Sequence, residues 1–277
     1  MKRPHRRGTA ISPKRIAEWI EVGRFYRHPL DVVSIQHWLK RFSKADLDIA
    51  ARVSDCVQVV SEQQIHLGYR DALRRLRDWD VDPVRRRGQW LFVGFGGPGE
   101  SGQAMLRIFR EANQMTSQAY NSLFCGATDL PFKELTAADH VVFIDDFSGT
   151  GRQVCVVWPT LQELIAADAS CHLILTAATH VAISKIRKLI NLTLMVHFEL
   201  QEEDNIFSAK CKYFNKAEKL IIEEYGKRAD RKKPKGFGEC GLLFVLSHKT
   251  PNNTVPILSA YHDRWHGLYP RYLPPLP

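Results

Sequence analysis

The residues with the clearest chemical potential lie together in residues 140–151, which read HVVFIDDFSGTG. Apolar residues lead into two adjacent acids, Asp145 and Asp146, and a Ser-Gly-Thr-Gly turn follows them. Two carboxylates at the end of a buried strand can accept hydrogen bonds from the vicinal hydroxyls of a ribose. Glycine lets the N–H groups of the turn face inward, and the N-terminus of a following helix favours an anion. The segment therefore predicts a site for a ribose 5-phosphate group.

Each residue of this segment has a predicted role. Asp145 and Asp146 hold the ribose and, as the predicted catalytic residues, stabilise the positive charge that develops at its C1 atom. The phosphate is expected in the turn formed by Ser148, Gly149, Thr150 and Gly151. Two alternatives stay open: acids that only cap a tight strand–helix turn, and a metal site built on the acid pair. We expect no metal bound by protein side chains alone.

This order of an apolar strand, two acids, a short variable pair and Thr-Gly resembles the motif that binds phosphoribosyl pyrophosphate (PRPP) in type I phosphoribosyltransferases. The resemblance implies that Asp145 and Asp146 bind the ribose of PRPP, and that residues 148–151 bind its 5-phosphate. It also implies Mg²⁺ as a cofactor that reaches the site on the phosphates of the ligand.

A second glycine-rich loop follows the apolar residues 90–95, WLFVGF. It contains G-x-G-x-x-G, but the acid that a dinucleotide site needs about 20 residues later is missing. A Walker A loop is disfavoured because Gln103 stands where a lysine is required. The resemblance implies that this loop holds the pyrophosphate, and a glycine-rich turn without a ligand is the alternative. The residues assigned to the pyrophosphate are Gly97, Gly99, Glu100, Ser101 and Gly102.

The elements that must position both loops are predicted from the pattern of apolar residues. Buried strands are predicted at 90–95, 141–144, 173–177, 192–198 and 242–246. Helices are predicted between them, notably at 103–115, 181–189 and 210–228. Strands that alternate with helices form βαβ units, so we predict an α/β fold with a mainly parallel sheet and helices on both faces. Ligands bind at the carboxyl ends of such strands, where both loops lie.

The region before this domain is predicted to be helical, with a short β-branched stretch at 57–60. This composition suits a winged-helix or helix-turn-helix domain, but a helical bundle that only packs on the next domain is favoured over one that reads a DNA sequence, because helices alone are common. Four segments are therefore expected: a disordered basic arm (1–13), a small helical domain (14–86), the α/β domain (87–265) and a proline-rich tail (266–277).

The charge of the chain bears on its partners. The net charge is +9, and the excess lies in the first 27 residues, in 70–87 and in 227–235. A nucleic acid backbone is one partner that fits this charge, and a solvated basic surface is the alternative.

The six cysteines contain no CxxC pair, which predicts reduced thiols rather than zinc ligands. No apolar run is long enough to span a bilayer and no secretory signal is evident, so we expect a cytoplasmic protein without membrane contact.

A last motif, TPNNT at 250–254, follows the predicted strand 242–246. If that strand joins the same sheet in parallel, Thr250, Asn252 and Asn253 are expected at the ligand site as contacts to a base or an acceptor. An antiparallel edge strand would make the motif a structural turn instead.

Four motifs together resemble one family, the phosphoribosyltransferase-like proteins of bacterial anti-phage systems, including some retrons. They are WLFVGFGGPGESG, VVFIDDFSGTG, TPNNTVPIL and WHGLYPR. The resemblance covers about residues 30–271 and implies an effector that transfers or cleaves at ribose C1. It also implies an inhibitory partner, a reverse transcriptase with its RNA–DNA hybrid. The alternatives are a catalytically inactive nucleotide sensor and a nucleic-acid-binding adaptor.

Overall fold

The computed structural model describes residues 11–97, 99–166 and 168–273. Most of the predicted disordered arm lies outside the described residues. The chain divides into two compact units: unit 1 comprises Met1–Glu62 with Gln201–Pro277, and unit 2 comprises Gln63–Leu200. These boundaries differ from the predicted ranges, since residues 201–265 belong with the N-terminal helices and not with the α/β domain.

The elements follow in chain order along the described residues. In the first part they are α1 (Pro13–Gly23), α2 (Val32–Leu39), α3 (Leu47–Asp55), β1 (Gln58–Val60) and α4 (Glu62–Arg74). The central part contains β2 (Trp90–Gly94), α5 (Ser101–Ala112), β3 (His140–Ser148), α6 (Arg152–Glu163), β4 (Ser170–Thr179), α7 (His180–Ile186) and β5 (Leu192–Leu200). The last part contains α8 (Lys216–Ala229), β6 (Phe244–Leu246), α9 (Pro256–Ser259), β7 (Tyr261–His262) and β8 (Trp265–His266). No helix in this described part of the chain is long and apolar enough to cross a membrane.

Unit 2 is built on a four-stranded sheet in the order β2-β3-β4-β5, and every neighbouring pair is parallel. All five residues of β2 are buried, and so are most residues of β3 and β4. Strands that are covered on both faces need apolar residues at successive positions, which explains the continuous runs in the sequence. The predicted α/β fold with a mainly parallel sheet is confirmed, and the first four predicted strands lie in this sheet.

Helices cover both faces of this sheet, as predicted. On one face Trp158 of α6 packs edge-on against Phe143 of β3, in a core that includes Ile183 of α7. On the other face Phe109 of α5 packs against Phe92 of β2 and against Tyr69 of α4. Alternate side chains of each strand therefore pack into two different cores, one on each face of the sheet.

Unit 1 combines helices from one part of the sequence with short strands from another. In its core Arg15 of α1 forms an ion pair with Asp55 of α3 at 2.7 Å. The indole of Trp19 donates a hydrogen bond to the same carboxylate at 2.8 Å. A buried charge needs such partners, so this pair fixes α1 on α3.

The predicted placement of the late strand is wrong. Strand β6 pairs in parallel with β1 in a two-stranded sheet of unit 1, where Val59 lies opposite Val245 and Val60 opposite Leu246. It forms no part of the four-stranded sheet. The apolar run predicted a strand correctly, but it carries no information about which strand becomes its partner. The short strand predicted at 57–60 supplies that partner.

The predicted proline-rich tail is ordered over its described residues. After β8, which pairs with β7, the Tyr269 amide donates to the Leu258 carbonyl at 2.8 Å. Leu268 and Tyr269 are buried in the core of unit 1. This stretch packs as an extended strap, and residues 274–277 lie outside the described residues.

Candidate functional site

The acid pair lies inside strand β3 and not after it. The predicted strand 141–144 continues to Ser148, so that Asp145 pairs with Leu175 and Phe147 with Ala177 of β4. The exposed fractions of Asp145 and Asp146 are 3% and 7%. Pairing on a central strand therefore holds two buried carboxylates rigidly near the carboxyl end of the sheet.

Asp145 accepts a hydrogen bond from a hydroxyl group at the end of the second glycine-rich loop. The Ser101 hydroxyl donates a hydrogen bond to the Asp145 Oδ1 atom at 2.6 Å. Ser101 is the first residue of α5, so this bond brings the start of α5 to the acid pair. The prediction assigned Ser101 to a pyrophosphate, whereas in the structure its hydroxyl contacts the acid.

The electrostatics of the pair favour a neutral Asp145. Burial raises the pKa of Asp145 well above its ordinary value, and the neighbouring Asp146 carboxylate raises it further. The hydrogen bond from Ser101 acts in the opposite direction. Two adjacent carboxyl groups in a buried place cannot both ionise without cost, and donors from a ligand would reduce that cost.

A tyrosine that no sequence motif indicates also forms a hydrogen bond with Asp145. The hydroxyl of Tyr69, on α4, donates to the backbone carbonyl of Asp145 at 3.1 Å, and its side chain is 1% exposed. Burial raises the pKa of Tyr69 well above its ordinary value, and the Asp146 and Asp145 carboxylates add to this effect. Tyr69 thus remains a neutral donor. Tyr69 lies 76 residues before Asp145 in the sequence, so no local pattern could indicate this contact.

The predicted phosphate turn joins β3 to α6. Gly151 has a φ of +71°, which a residue with a Cβ atom rarely adopts, and it stands at the N-cap of α6. A Cβ atom at Gly151 would also lie 3.2 Å from the Ala182 carbonyl oxygen. Glycine is therefore needed here both for the backbone conformation and for close packing.

The same turn is held by the start of α7. The Thr179 hydroxyl donates to the Gly149 carbonyl at 2.6 Å and accepts the Ala182 amide at 3.1 Å. Thr179 caps α7, so one side chain ties the turn to a helix N-terminus. The predicted residues Ser148 and Thr150 lie on this turn, the former buried and the latter partly exposed.

The loop between β2 and α5 approaches the helix very closely. A Cβ atom at Gly102 would lie 2.1 Å from the Phe95 carbonyl oxygen, and one at Gly94 would lie 2.7 Å from the Gly102 carbonyl carbon. These two glycines permit close strand–helix packing, and the assignment of Gly102 to a pyrophosphate stays a prediction. Gly97 and Gly99 have open space around their α-carbons, and the side chain of Glu100 contacts this loop, as described below.

The TPNNT motif lies in unit 1. Thr250 is fully buried and donates to the Tyr269 carbonyl at 2.7 Å, and the Asn253 amide donates to the Phe237 carbonyl at 2.9 Å. Asn252 is exposed, and its carbonyl accepts the Phe237 amide at 2.8 Å. These bonds make the motif a structural turn of unit 1, and its contact with a base or an acceptor stays a prediction.

Within residues 11–97, 99–166 and 168–273, no group of three or more His, Cys, Asp or Glu side chains could hold a metal ion. The six cysteines are free thiols. A magnesium ion at the acid pair would thus need oxygen atoms from a bound phosphate to complete its coordination.

Comparison with known proteins adds the following findings. The model of a family described as PRTase-CE matches residues 35–271 of the 277-residue chain. No curated protein matches the chain. Among solved structures, the AQ2163 protein from Aquifex aeolicus aligns with a TM-score of 0.34 at 11% identity, over 62% of this chain and 86% of that one. The family match spans both loops and the acid pair.

Proposed function

Because the chain belongs to the PRTase-CE family, a phosphoribosyltransferase-like family, we propose that unit 2 binds a ribose 5-phosphate group at the carboxyl end of β3. Asp145 and Asp146 accept hydrogen bonds from the ribose hydroxyls. The turn formed by Ser148, Gly149, Thr150 and Gly151 receives the 5-phosphate. The proposed ligand is PRPP or a nucleotide that carries a ribose 5-phosphate.

The observation that carries this proposal is the buried acid pair in a parallel strand, followed at once by a glycine turn and a helix N-terminus. A helix N-terminus favours a phosphate because its N–H groups and its dipole both point toward the anion. Two buried carboxylates are costly unless donors reach them, and vicinal hydroxyls are such donors. One sugar phosphate satisfies both halves of the arrangement.

The proposed chemistry is transfer or cleavage at ribose C1. A positive charge develops on the ribose when the bond from C1 to its leaving group breaks, and an ionised carboxylate nearby stabilises that charge. Rigid placement of the sugar supplies a further part of the rate. Mg²⁺ bound to phosphate oxygens of the ligand would neutralise their charge, and Asp145 and Asp146 are the carboxylates of this site that would hold it.

The decisive experiment combines binding and turnover. Isothermal titration calorimetry of the full chain with ribose 5-phosphate, and with PRPP and Mg²⁺, tests the site directly. Release of pyrophosphate or of a free base is then followed chromatographically with nucleobases or nucleotides. Binding with turnover supports an enzyme. Binding without turnover favours the alternative, a nucleotide sensor, and the absence of binding rejects the ribose site.

We further propose a role in anti-phage defence, with a reverse transcriptase and its RNA–DNA hybrid as the inhibitory partner. The support is the sequence resemblance given above together with the basic surface. Arg231, Lys232 and Lys233 are exposed in unit 1. In unit 2, by contrast, Arg85 is paired with Asp80 at 3.3 Å, so part of that basic cluster is neutralised locally.

Contact with nucleic acid through this surface would depend on charge and not on sequence. Neutralising phosphates releases counterions, so affinity for mixed RNA–DNA hybrids should fall steeply as salt increases. Fluorescence anisotropy at several salt concentrations measures this. Undetectable binding at low salt would leave a solvated surface or a protein partner as the explanation.

A further inference from the structure

The carboxylate of Glu100 binds the backbone of its own loop. The Gly97 amide donates a hydrogen bond to the Glu100 Oε2 atom at 2.8 Å. The side-chain amide of Gln153, on α6, donates to the same oxygen at 3.0 Å. One carboxylate oxygen therefore receives two donors, one from the loop between β2 and α5 and one from the first turn of α6.

The Glu100 carboxylate fits into this loop because position 96 is a glycine. Gly96 has a φ of +94°, and a Cβ atom there would lie 2.1 Å from the Glu100 Oε2 atom and 3.4 Å from the Gln153 Nε2 atom. The carboxylate thus lies directly against the α-carbon of Gly96. Any larger residue at position 96 would displace it.

The position of this bridge relates it to the candidate site. Glu100 directly precedes Ser101, whose hydroxyl contacts Asp145. Gln153 follows the phosphate turn by two residues, at the start of α6. Under the proposed function the loop between β2 and α5 accommodates the group on C1, and the bridge uses one backbone amide of that loop.

We propose that Glu100 selects the group on ribose C1, admitting a neutral base and disfavouring a pyrophosphate. The substrate class is then a nucleoside 5′-monophosphate and not PRPP, an inference that rests on the proposed function. The physical reason is twofold. An internal anion already occupies an amide of the loop that would hold pyrophosphate, and a ligand with several negative charges would be repelled by it. A base carries no such charge.

The opposite role for Glu100 is a bridge to pyrophosphate through Mg²⁺, since carboxylates are good magnesium ligands. The two roles predict opposite effects of removing the charge. Glu100→Gln keeps an oxygen that can accept the Gly97 amide, so it changes the charge with little change of shape. Glu111→Gln is the matched control, because Glu111 is an exposed acid near the end of α5, the helix that Glu100 precedes, and its ion pair with Arg107 is 3.6 Å long.

The experiment is calorimetric titration of the wild-type chain and of both variants, each with ribose 5-phosphate, AMP, and PRPP with Mg²⁺. We expect Glu100→Gln to bind PRPP about 10-fold or more tightly than the wild type, the size of one charged contact. Affinity for ribose 5-phosphate and AMP should stay within about 2-fold, and Glu111→Gln should match the wild type throughout.

The outcomes separate this inference from the proposed function. If ribose 5-phosphate binds but the PRPP affinity of Glu100→Gln is unchanged or lower, the selection by Glu100 is wrong and the ribose site stands. An equal gain in Glu111→Gln would also overturn it, since general charge would then be the cause. If ribose 5-phosphate fails to bind the wild type, the proposed function and this inference fall together.

Discussion

Buried aspartates stand at both ends of β3, and their environments differ. Asp139, just before the strand, accepts hydrogen bonds from the Gln89 amide at 2.6 Å and the Thr136 amide at 2.7 Å. Burial alone would raise its pKa, but these donors together lower it. Asp145, six residues later, has the Ser101 hydroxyl on its side chain and a second carboxylate beside it, and its pKa is raised.

The surroundings of the two ends agree with this difference. At the amino end, the indole of Trp90 stacks on His140 with ring centroids 3.9 Å apart, and burial lowers the pKa of His140. Burial likewise lowers the pKa of His172 to about 4, with His140 as a second cause. The fold itself satisfies the charge at the amino end. At the carboxyl end it places two carboxyl groups side by side, and the pKa of Asp145 is raised.

The largest effect is expected from removing both carboxyl groups near the carboxyl end of β3. Asp145→Asn with Asp146→Asn should weaken ribose 5-phosphate binding by about 100-fold or more, because two charged hydrogen bonds are worth about 1.5–3 kcal/mol each. Calorimetry measures the affinity, and circular dichroism checks the fold. The control is Asp139→Asn, the same change at the other end of the strand. Unaltered affinity in the double variant would remove the acid pair from the site.

Asp139→Asn should instead lower stability, by about 1.5–3 kcal/mol at neutral pH, because its donors lose a charged acceptor. The folded-state pKa of Asp139 is lowered, so its contribution is present above the unfolded pKa and is lost as the pH falls through the folded pKa. The difference between variant and wild type should therefore shrink in acid. Urea unfolding at several pH values measures this. A difference that is constant with pH would mean that Asp139 acts through packing alone.

Ser101→Ala should weaken ligand binding by about 10-fold and change its pH dependence, since a charged hydrogen bond is lost. Without the hydroxyl the pKa of Asp145 should rise further, so the ionised acid and the affinity should be lost at a higher pH than in the wild type. Titrations across the acid range locate this midpoint. Ser101→Thr, which retains a hydroxyl, should restore it. An affinity that falls equally at every pH would indicate a steric effect.

The smallest effect is expected from Tyr69→Phe, which removes one neutral donor to the Asp145 carbonyl. A loss of about 0.5–1.5 kcal/mol in stability is expected, with a change in affinity of only a few-fold. Thermal unfolding and calorimetry report the two quantities. A loss of binding as large as that of the double acid variant would place Tyr69 in direct contact with the ligand.

The sequence allowed prediction of those features that depend on neighbouring residues. The strands at 90–94, 140–148, 170–179 and 192–200 were recognisable because buried parallel strands are continuous apolar runs. The acid pair and its glycine turn were recognisable because all their parts lie within one segment. The hydrogen bonds of Asp139 and the stack of Trp90 on His140 could not be predicted in this way. Trp90 begins β2 and His140 begins β3, but the sequence does not show that these two residues are neighbours.

The remaining features depend on contacts that are distant in sequence. The donor from Tyr69 comes from a helix that is separated from Asp145 by a long stretch of chain, and the cap by Thr179 comes from the next strand. The partner of β6 lies near the other end of the chain. Pairing across such distances is decided by the packing of whole units, so it could not be derived from local patterns.

That last pairing has a consequence for how the protein is made. Residues 11–62 leave the ribosome early, yet β1 lacks its neighbour until residue 246 has been synthesised. Unit 2 is continuous in sequence, so it can fold while the chain is still growing. Unit 1 is formed by the segments before and after unit 2 in the sequence. Its folding must therefore close a long loop, which slows folding. A chain that stopped before residue 244 would lack the partner of β1 while keeping unit 2 and its acid pair.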